Sequence, residues 1–144
     1  MSDVVSGNDE LISKLHKLQT LVPGGTGKAM LAGALVLEGF IKQSMQEGHH
    51  GRTYSRGGHA HRASAPGETP AIDFGHLVNS IESSLIDETS SQVATNSEAA
   101  PSLEFGTAHV AARPFMRSAA DEHEDAVVKA VSKTIVRLVE EATK

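Results

Sequence analysis

The sequence predicts an α+β fold: long N-terminal and C-terminal helices packed on a small antiparallel sheet, a β-hairpin plus one or two strands, with a long flexible loop. Three observations carry that prediction. Apolar residues recur at helical spacing near both ends of the chain. Between Ser80 and Asn96 they alternate with polar residues on either side of a turn-forming Asp-Glu-Thr-Ser. The stretch from Gly48 to Ala71 follows neither period and is rich in Gly, Ser, Arg and His. At 144 residues the chain reads as one domain, 1–144. Its parts are a helical region 8–47, a flexible loop 48–72, a β-hairpin region 73–111 and a C-terminal helix 112–142.

Taken in order, Asn8 is placed to cap a first helix, with Asp9 and Glu10 suiting its positive end. Leu11, Leu15 and Leu18 follow at helical spacing. The run from Pro23 to Gly27, PGGTG, is expected to break that helix. A second then runs from about Thr26 to Glu47, with Met30, Ala34, Leu37, Ile41 and Met45 on one stripe and Gly48 as its C′ glycine. Gly48 to Ala71 is expected to be a mobile loop closed by Pro66 and Pro70. Asp73 is expected to cap a short helical turn carrying Leu77 and Val78. Ser80–Asp87 and Gln92–Asn96 make the hairpin across a turn at Asp87–Ser90. Ser97–Phe105 forms a short helical turn ending at Gly106, and Thr107–Ala111 adds a strand. Pro114 opens the last helix, where its missing N–H costs nothing. Val127, Val131 and Ile135, with Val128, Leu138 and Val139, form that helix's buried face. Its solvated side runs through Asp121, Asp125, Lys129, Lys133, Arg137 and Glu141, with Asp125–Lys129 as a favourable pair.

Composition narrows the function. Aromatic residues make up only 3% of the chain, so the core must come from small aliphatic side chains. At roughly 25 cal/mol per Å² of buried apolar surface, contacts between copies then matter for stability. With no cysteine there is no disulfide, thiolate site or thiol nucleophile. The start, MSDVVSGNDELISKL, lacks the basic-then-apolar pattern of a secretory signal. The apolar run Ala29–Ile41 is interrupted by Gly33, Glu38 and Gly39, so no membrane span is expected. A net charge of −5 argues against a protein that coats DNA over its whole surface, yet leaves room for a local basic patch.

Several chemistries can be weighed on their motifs. GGTGKAM, Gly24–Met30, resembles a phosphate-binding loop, but Val22 stands at the first glycine position and Ala29 replaces the hydroxyl residue. His49–His50 and His59–His61 offer imidazoles, without the convergent fourth ligand and supporting shell of a structural metal site. Asp87–Glu88 and the acids at Asp121–Asp125 are adjacent carboxylates, not a converging pair. No Gly-x-Ser-x-Gly places a nucleophile. The sequence therefore predicts no catalytic residues, no cofactor and no metal. The basic loop is the serious rival: Arg52, Arg56 and Arg62 around Tyr54 can touch phosphates and stack a base. That makes a small nucleic-acid-binding protein, using residues 48–66, the alternative function.

The runs GRTYSRGGHAHRASAPGETPAIDFGHLVNSI and LEFGTAHVAARPFMRSAADE resemble the tailed-bacteriophage neck and tail-component family, small head–tail junction proteins similar to tail-completion proteins. The resemblance rests on Ala65–Pro70, Phe74–Ile81, Glu104-Phe105-Gly106-Thr107 and Ala112–Ala119, and it spans about Gly51 to Ala120. Phe74 stands where the family more often has Thr, and Ala99-Ala100-Pro101 replaces a Tyr-Ala strand ending. The resemblance implies a virion protein, made in the bacterial host cytoplasm, that forms a homo-oligomeric ring, a hexamer or dodecamer. Its partners would be head-side connector or portal-associated proteins and tail terminator or tail-tube proteins. DNA would pass through the lumen without specific binding, and no membrane is involved. Within that reading Arg52, Tyr54, Arg56, His59, His61 and Arg62 are the expected partner surface. Gly75, Leu77, Glu104, Phe105, Gly106, Arg113, Pro114 and Phe115 are expected to keep the fold. Phe105 and Phe115 would anchor the last helix, and Arg113 would satisfy carbonyls or pair with Glu104.

Overall fold

The computed structural model describes the backbone from residue 6 to residue 144 and side chains from residue 9 onward, so the cap expected of the Asn8 side chain lies outside the described residues. Among the described residues, four helices and two two-stranded sheets make up the α+β architecture. Helix α1, Ser6–Ser44, and helix α4, Met116–Thr143, form an antiparallel pair. Gly25 faces Leu138, Gly33 faces Val127 and Val131, and Phe40 stacks on His123.

The expected break at Pro23–Gly27 does not occur; α1 runs through it. A proline inside a helix costs about 3 kcal/mol, so tertiary packing must outweigh local propensity here. The glycines show how. A Cβ on Gly25 would sit 3.3 Å from Leu138 Cδ1, and one on Gly27 would sit 3.3 Å from the Glu88 carbonyl oxygen. One on Gly33 would come within 2.7 Å of Val131 Cγ2. These residues let helices and hairpin approach closely; they do not turn the chain. The helix stops at Ser44, where Gln46 N–H bonds the Gln43 carbonyl, and Gly48 does not take the left-handed cap conformation expected of it.

The second sheet follows expectation. Strands β3, Ile81–Leu85, and β4, Ser91–Thr95, pair antiparallel with Ile81 opposite Thr95 and Leu85 opposite Ser91. They lie on α1: Ser83 Oγ donates to Glu38 Oε2 at 2.6 Å, and Ser91 Oγ donates to the Met30 carbonyl at 2.8 Å. Helix α2, His76–Asn79, is capped by Gly75 at φ 83, not by Asp73. Helix α3, Ala100–Phe105, ends at Gly106 as expected. Thr107–Ala111 is no strand; it is a turn closed by Thr107 N–H on the Val110 carbonyl at 2.8 Å. Helix α4 begins at Met116, so Pro114 precedes it and Phe115 holds the cap position.

Ile41, Met45, Ile81, Ala100, Phe115 and Ala119 form the core where α1, the β3–β4 hairpin, α3 and α4 meet. Only part of the predicted α4 face is covered. Val127, Val131 and Leu138 are half-buried, while Val128, Ile135 and Val139 stay exposed. On α4 the ion pair is Arg137–Glu141 at 3.9 Å, not Asp125–Lys129. His123 departs from helical geometry (φ −116, ψ 16) and stacks on Phe40 at 3.7 Å. By length and mean hydropathy, residues 9–44 of α1 meet the criterion for a membrane-crossing helix. The same helix buries Ala29, Ala34 and Ile41 within the fold, while Leu11, Ile12, Leu15, Leu21, Val22 and Leu35 stay exposed.

Candidate functional site

The segment expected to be a loop is a β-hairpin. Strands β1, Thr53–Arg56, and β2, His59–Arg62, pair antiparallel, with Tyr54 opposite His61 and Arg56 opposite His59. The turn between them is Gly57-Gly58, both at positive φ (55 and 85), the two-residue geometry that matches the twist of hairpin strands. The ladder continues outward through Gly51 N–H to the Ala63 carbonyl and Ala63 N–H to the Arg52 carbonyl, each 3.0 Å. Side chains alternate across a strand pair. Arg52, Tyr54, Arg56, His59 and His61 therefore share one face of this arm, and Arg62 lies on the other. Between Gly51 and Gly67 there are three arginines and no carboxylate.

Two carboxylates brace the arm: Glu68 ties its two ends together, and Asp73 reaches the hairpin from the chain that follows it. Glu68 Oε2 accepts from Ala65 N–H at 2.7 Å and His50 N–H at 3.1 Å, while Oε1 meets His50 Nδ1 at 2.8 Å. The Ala65 amide first, then the His50 amide and ring, hold the Glu68 carboxyl down at about 2. Asp73 lies 3.8 Å from His61 Nδ1 and 4.0 Å from Arg56 Nη1. Beside it the exposed Phe74 ring sits 6.1 Å from the His59 ring and 6.4 Å from the His76 ring. Arg56 is thus partly neutralised within its own chain. Arg52, Tyr54, His59 and Arg62 face solvent, and His61 is largely covered.

The remaining motif residues gather at the arm's root. Arg113 donates from Nε and Nη2 to the Ser64 carbonyl at 3.4 and 3.3 Å, and from Nη1 to the Ala111 carbonyl at 3.2 Å. Its backbone N–H bonds the Leu103 carbonyl at 2.6 Å. Gly67 N–H bonds the Ala112 carbonyl at 3.1 Å, and Thr69 Oγ1 donates to the Ser44 carbonyl at 2.8 Å. Glu104 does not pair with Arg113. Its carboxylate accepts from the amides of Phe115, Met116 and Arg117 at 2.8, 3.0 and 2.9 Å, capping α4 from a distant part of the sequence. Gly106 (φ 73) makes that approach possible: a Cβ there would lie 2.9 Å from Ala112 N. Leu77 is half-buried against the core, beside Gly75.

The two phenylalanines part company. Phe115 is 0% exposed at the centre of the core, whereas Phe105 is 77% exposed and does not anchor the last helix. Phe105 stands on the wall of an open apolar groove of about 540 Å³, formed by Leu37 and Ile41 of α1, Val93 of β4 and Met116 of α4, with Arg117 beside it. Leu85 and Ile86, at the β3–β4 turn, are also exposed. Sequence reasoning placed the turn at Asp87–Ser90 but passed over the groove and the exposed Leu85-Ile86 pair; an apolar Leu-Ile pair running into a turn was the available signal.

As for other chemistries, GGTGKAM lies inside α1 and forms no loop. Asp87 is taken up by its own turn, accepting from Thr89 N–H at 2.7 Å and from Thr89 Oγ1 and Ser90 Oγ at 3.0 Å. Among the described residues, no three His, Asp or Glu side chains converge on a point where a metal ion could sit. What the geometry offers is surface: a preformed cationic arm, an apolar groove and an apolar turn. No protein-family model, curated protein or solved structure matches the chain.

Proposed function

We propose that this chain is a structural protein of the phage head–tail junction, a neck or tail-completion subunit. It assembles into a ring that joins the head connector to the tail and lets DNA pass. The observation that carries the assembly reading is an imbalance in burial. Among the described residues sixteen large apolar side chains stand exposed, against four that are fully buried: Phe115, Ile41, Met45 and Ile81. Contiguous exposed apolar patches mark contact with other polypeptides, and Leu21, Val22, Ile135 and Val139 gather in one such patch where α1 meets α4. The placement within a virion rests on the sequence motifs, whose residues meet at the root of the arm. Cyclic symmetry then has one surface of each copy bind a different surface of the next.

The arm supports this reading in a way the sequence did not suggest. A loop ordered only on assembly would oppose binding by ~1 kcal/mol or more per residue. A hairpin already tied down by Glu68, Asp73 and Arg113 avoids most of that cost. Arg52 and Arg62 then meet carboxylates on a neighbour, with Tyr54 as the apolar anchor.

Native mass spectrometry with electron microscopy of the purified chain, alone and with connector-side and tail-side proteins, tests the proposal. Closed rings, or capture between those partners, are expected. A monomer that ignores both partners but shifts DNA in a salt-sensitive way, with the shift lost when Arg52, Arg56 and Arg62 become Ala, would replace it with nucleic-acid binding.

A further inference from the structure

The β3–β4 turn and the groove beside Phe105 are complementary and cannot meet within one subunit. At the turn, Leu85 is 47% and Ile86 61% exposed. The turn is nonetheless rigid. Ile86 N–H bonds the Ser90 carbonyl at 2.9 Å, and Asp87 bonds Thr89 and Ser90. It is a preformed apolar knob with an exposed carboxylate, Glu88, beside it. The groove has the opposite character: an apolar floor, the exposed Phe105 ring as a wall and exposed Arg117 among its lining residues. The Glu104 carboxylate also lines the groove, but the three α4 amides already occupy it, so it offers the knob little repulsion. Like features do not face each other here; apolar meets apolar and acid meets base.

Distance excludes an intramolecular fit. The turn lies against Gly27 of α1, through the Glu88 carbonyl and the Leu85 side chain. The groove's α1 wall is Leu37 and Ile41. At about 1.5 Å per residue these positions are roughly 15–20 Å apart along the helix. The occupant must come from another molecule, and the knob of a second copy supplies the required chemistry.

We propose that Leu85 and Ile86 of one copy seat in the groove under Phe105 of the next, with Glu88 facing Arg117. This contact rests on the reading of the chain as a ring-forming subunit and names the surfaces that close the ring. Because knob and groove are different patches, the contact is heterologous and propagates head to tail.

The chain has no cysteine, which makes the test clean. Ile86→Cys and Phe105→Cys chains, distinguishable by mass, are mixed under mild oxidation; the double variant is oxidised alone. The expected result is heterodisulfide between the two single variants in large excess over either homodisulfide, and a covalent ladder from the double variant. In parallel, Arg117→Glu is expected to weaken association by at least about tenfold, and adding Glu88→Arg to restore most of it. Homodisulfides equal in yield to heterodisulfides, or no rescue by the double charge swap, overturn the contact. If rings of wild-type mass persist in Ile86→Glu, the contact is wrong while the ring reading stands. If the wild-type chain stays monomeric with its partners present, the ring reading falls, and this contact with it.

Discussion

At the start of α4, one distant carboxylate replaces the capping side chain that the local sequence fails to provide. The residue at the cap position is Phe115, which offers no acceptor, and Glu104 takes three amides instead. Hydrogen bonds to a charged group contribute about 1.5–3 kcal/mol each in favourable cases, while losing a cap costs about 1 kcal/mol. Glu104→Ala is therefore expected to lower stability by about 1–3 kcal/mol in urea denaturation, with Glu104→Gln intermediate. A Glu104→Ala midpoint equal to wild type would show that water replaces the carboxylate. Gly106→Ala is expected to cost a similar amount, about 1–3 kcal/mol, because the left-handed backbone and the contact with Ala112 N both oppose a Cβ. Gly48→Ala is the control. Its Cβ would meet nothing within 4 Å, and its φ is not in the left-handed region, so its midpoint should not fall. These roles were legible only in part. Glycine at 106 after a helical turn announces a cap, but nothing local tells a buried phenylalanine at 115 from an exposed one at 105. That difference is decided by which way α3 and α4 turn in three dimensions.

Among the elements, α1 and the arm show opposite failures of local reasoning. The PGGTG run says break, yet α4 and the β3–β4 turn need small residues at Gly25, Gly27 and Gly33, and burial there outweighs propensity. Gly33→Val is accordingly expected to separate α1 from α4 and destabilise the chain by about 1–3 kcal/mol, read by thermal melting; an unchanged melt would mean that Val131 simply swings aside. The arm was missed because both its faces are polar, leaving no alternation to detect. The informative signal was the Gly57-Gly58 pair a few residues after strand-forming Thr53 and Tyr54. Its composition still pointed to the surface residues, while the clamps, Glu68 and Asp73, became visible only once the chain had folded back.

Glu68 gives the arm a pH dependence of defined sign. The ordinary value is 4.5 and the folded carboxyl sits at about 2, so the folded state favours the ionised form. The stabilisation is fully present above about pH 4.5 and is lost as pH falls towards 2. Hydrogen-exchange protection of the Gly51 and Ala63 amides, corrected for intrinsic rates, should decline across that window in wild type. In Glu68→Gln it should already be reduced at neutral pH and stay flat. Equal protection in the two proteins at pH 7 would remove Glu68 from its role as a clamp.

Across the whole molecule, two long helices, α3 and the β3–β4 sheet share a core whose fully buried large side chains number four among the described residues, with a single aromatic, Phe115, among them. Such a core leaves a modest margin. On the ring-forming proposal, folding and assembly are linked: anything that binds the folded form stabilises it by mass action, by about 2.7 kcal/mol at a hundred times the dissociation constant. At about 2–4 °C per kcal/mol for a chain near this size, the melting temperature should climb by roughly 5–10 °C. The climb appears when protein concentration is raised a hundredfold through the assembly range. Differential scanning calorimetry at several concentrations measures it, with sedimentation on the same samples to show that the rise tracks oligomer and not aggregate. Ile86→Glu, which leaves the core untouched, should flatten the concentration dependence while keeping the dilute-limit melting temperature. A wild-type melting temperature independent of concentration, in a chain that sediments as a monomer throughout, would mean that the exposed apolar surface is tolerated in solution and that assembly contributes nothing to the fold.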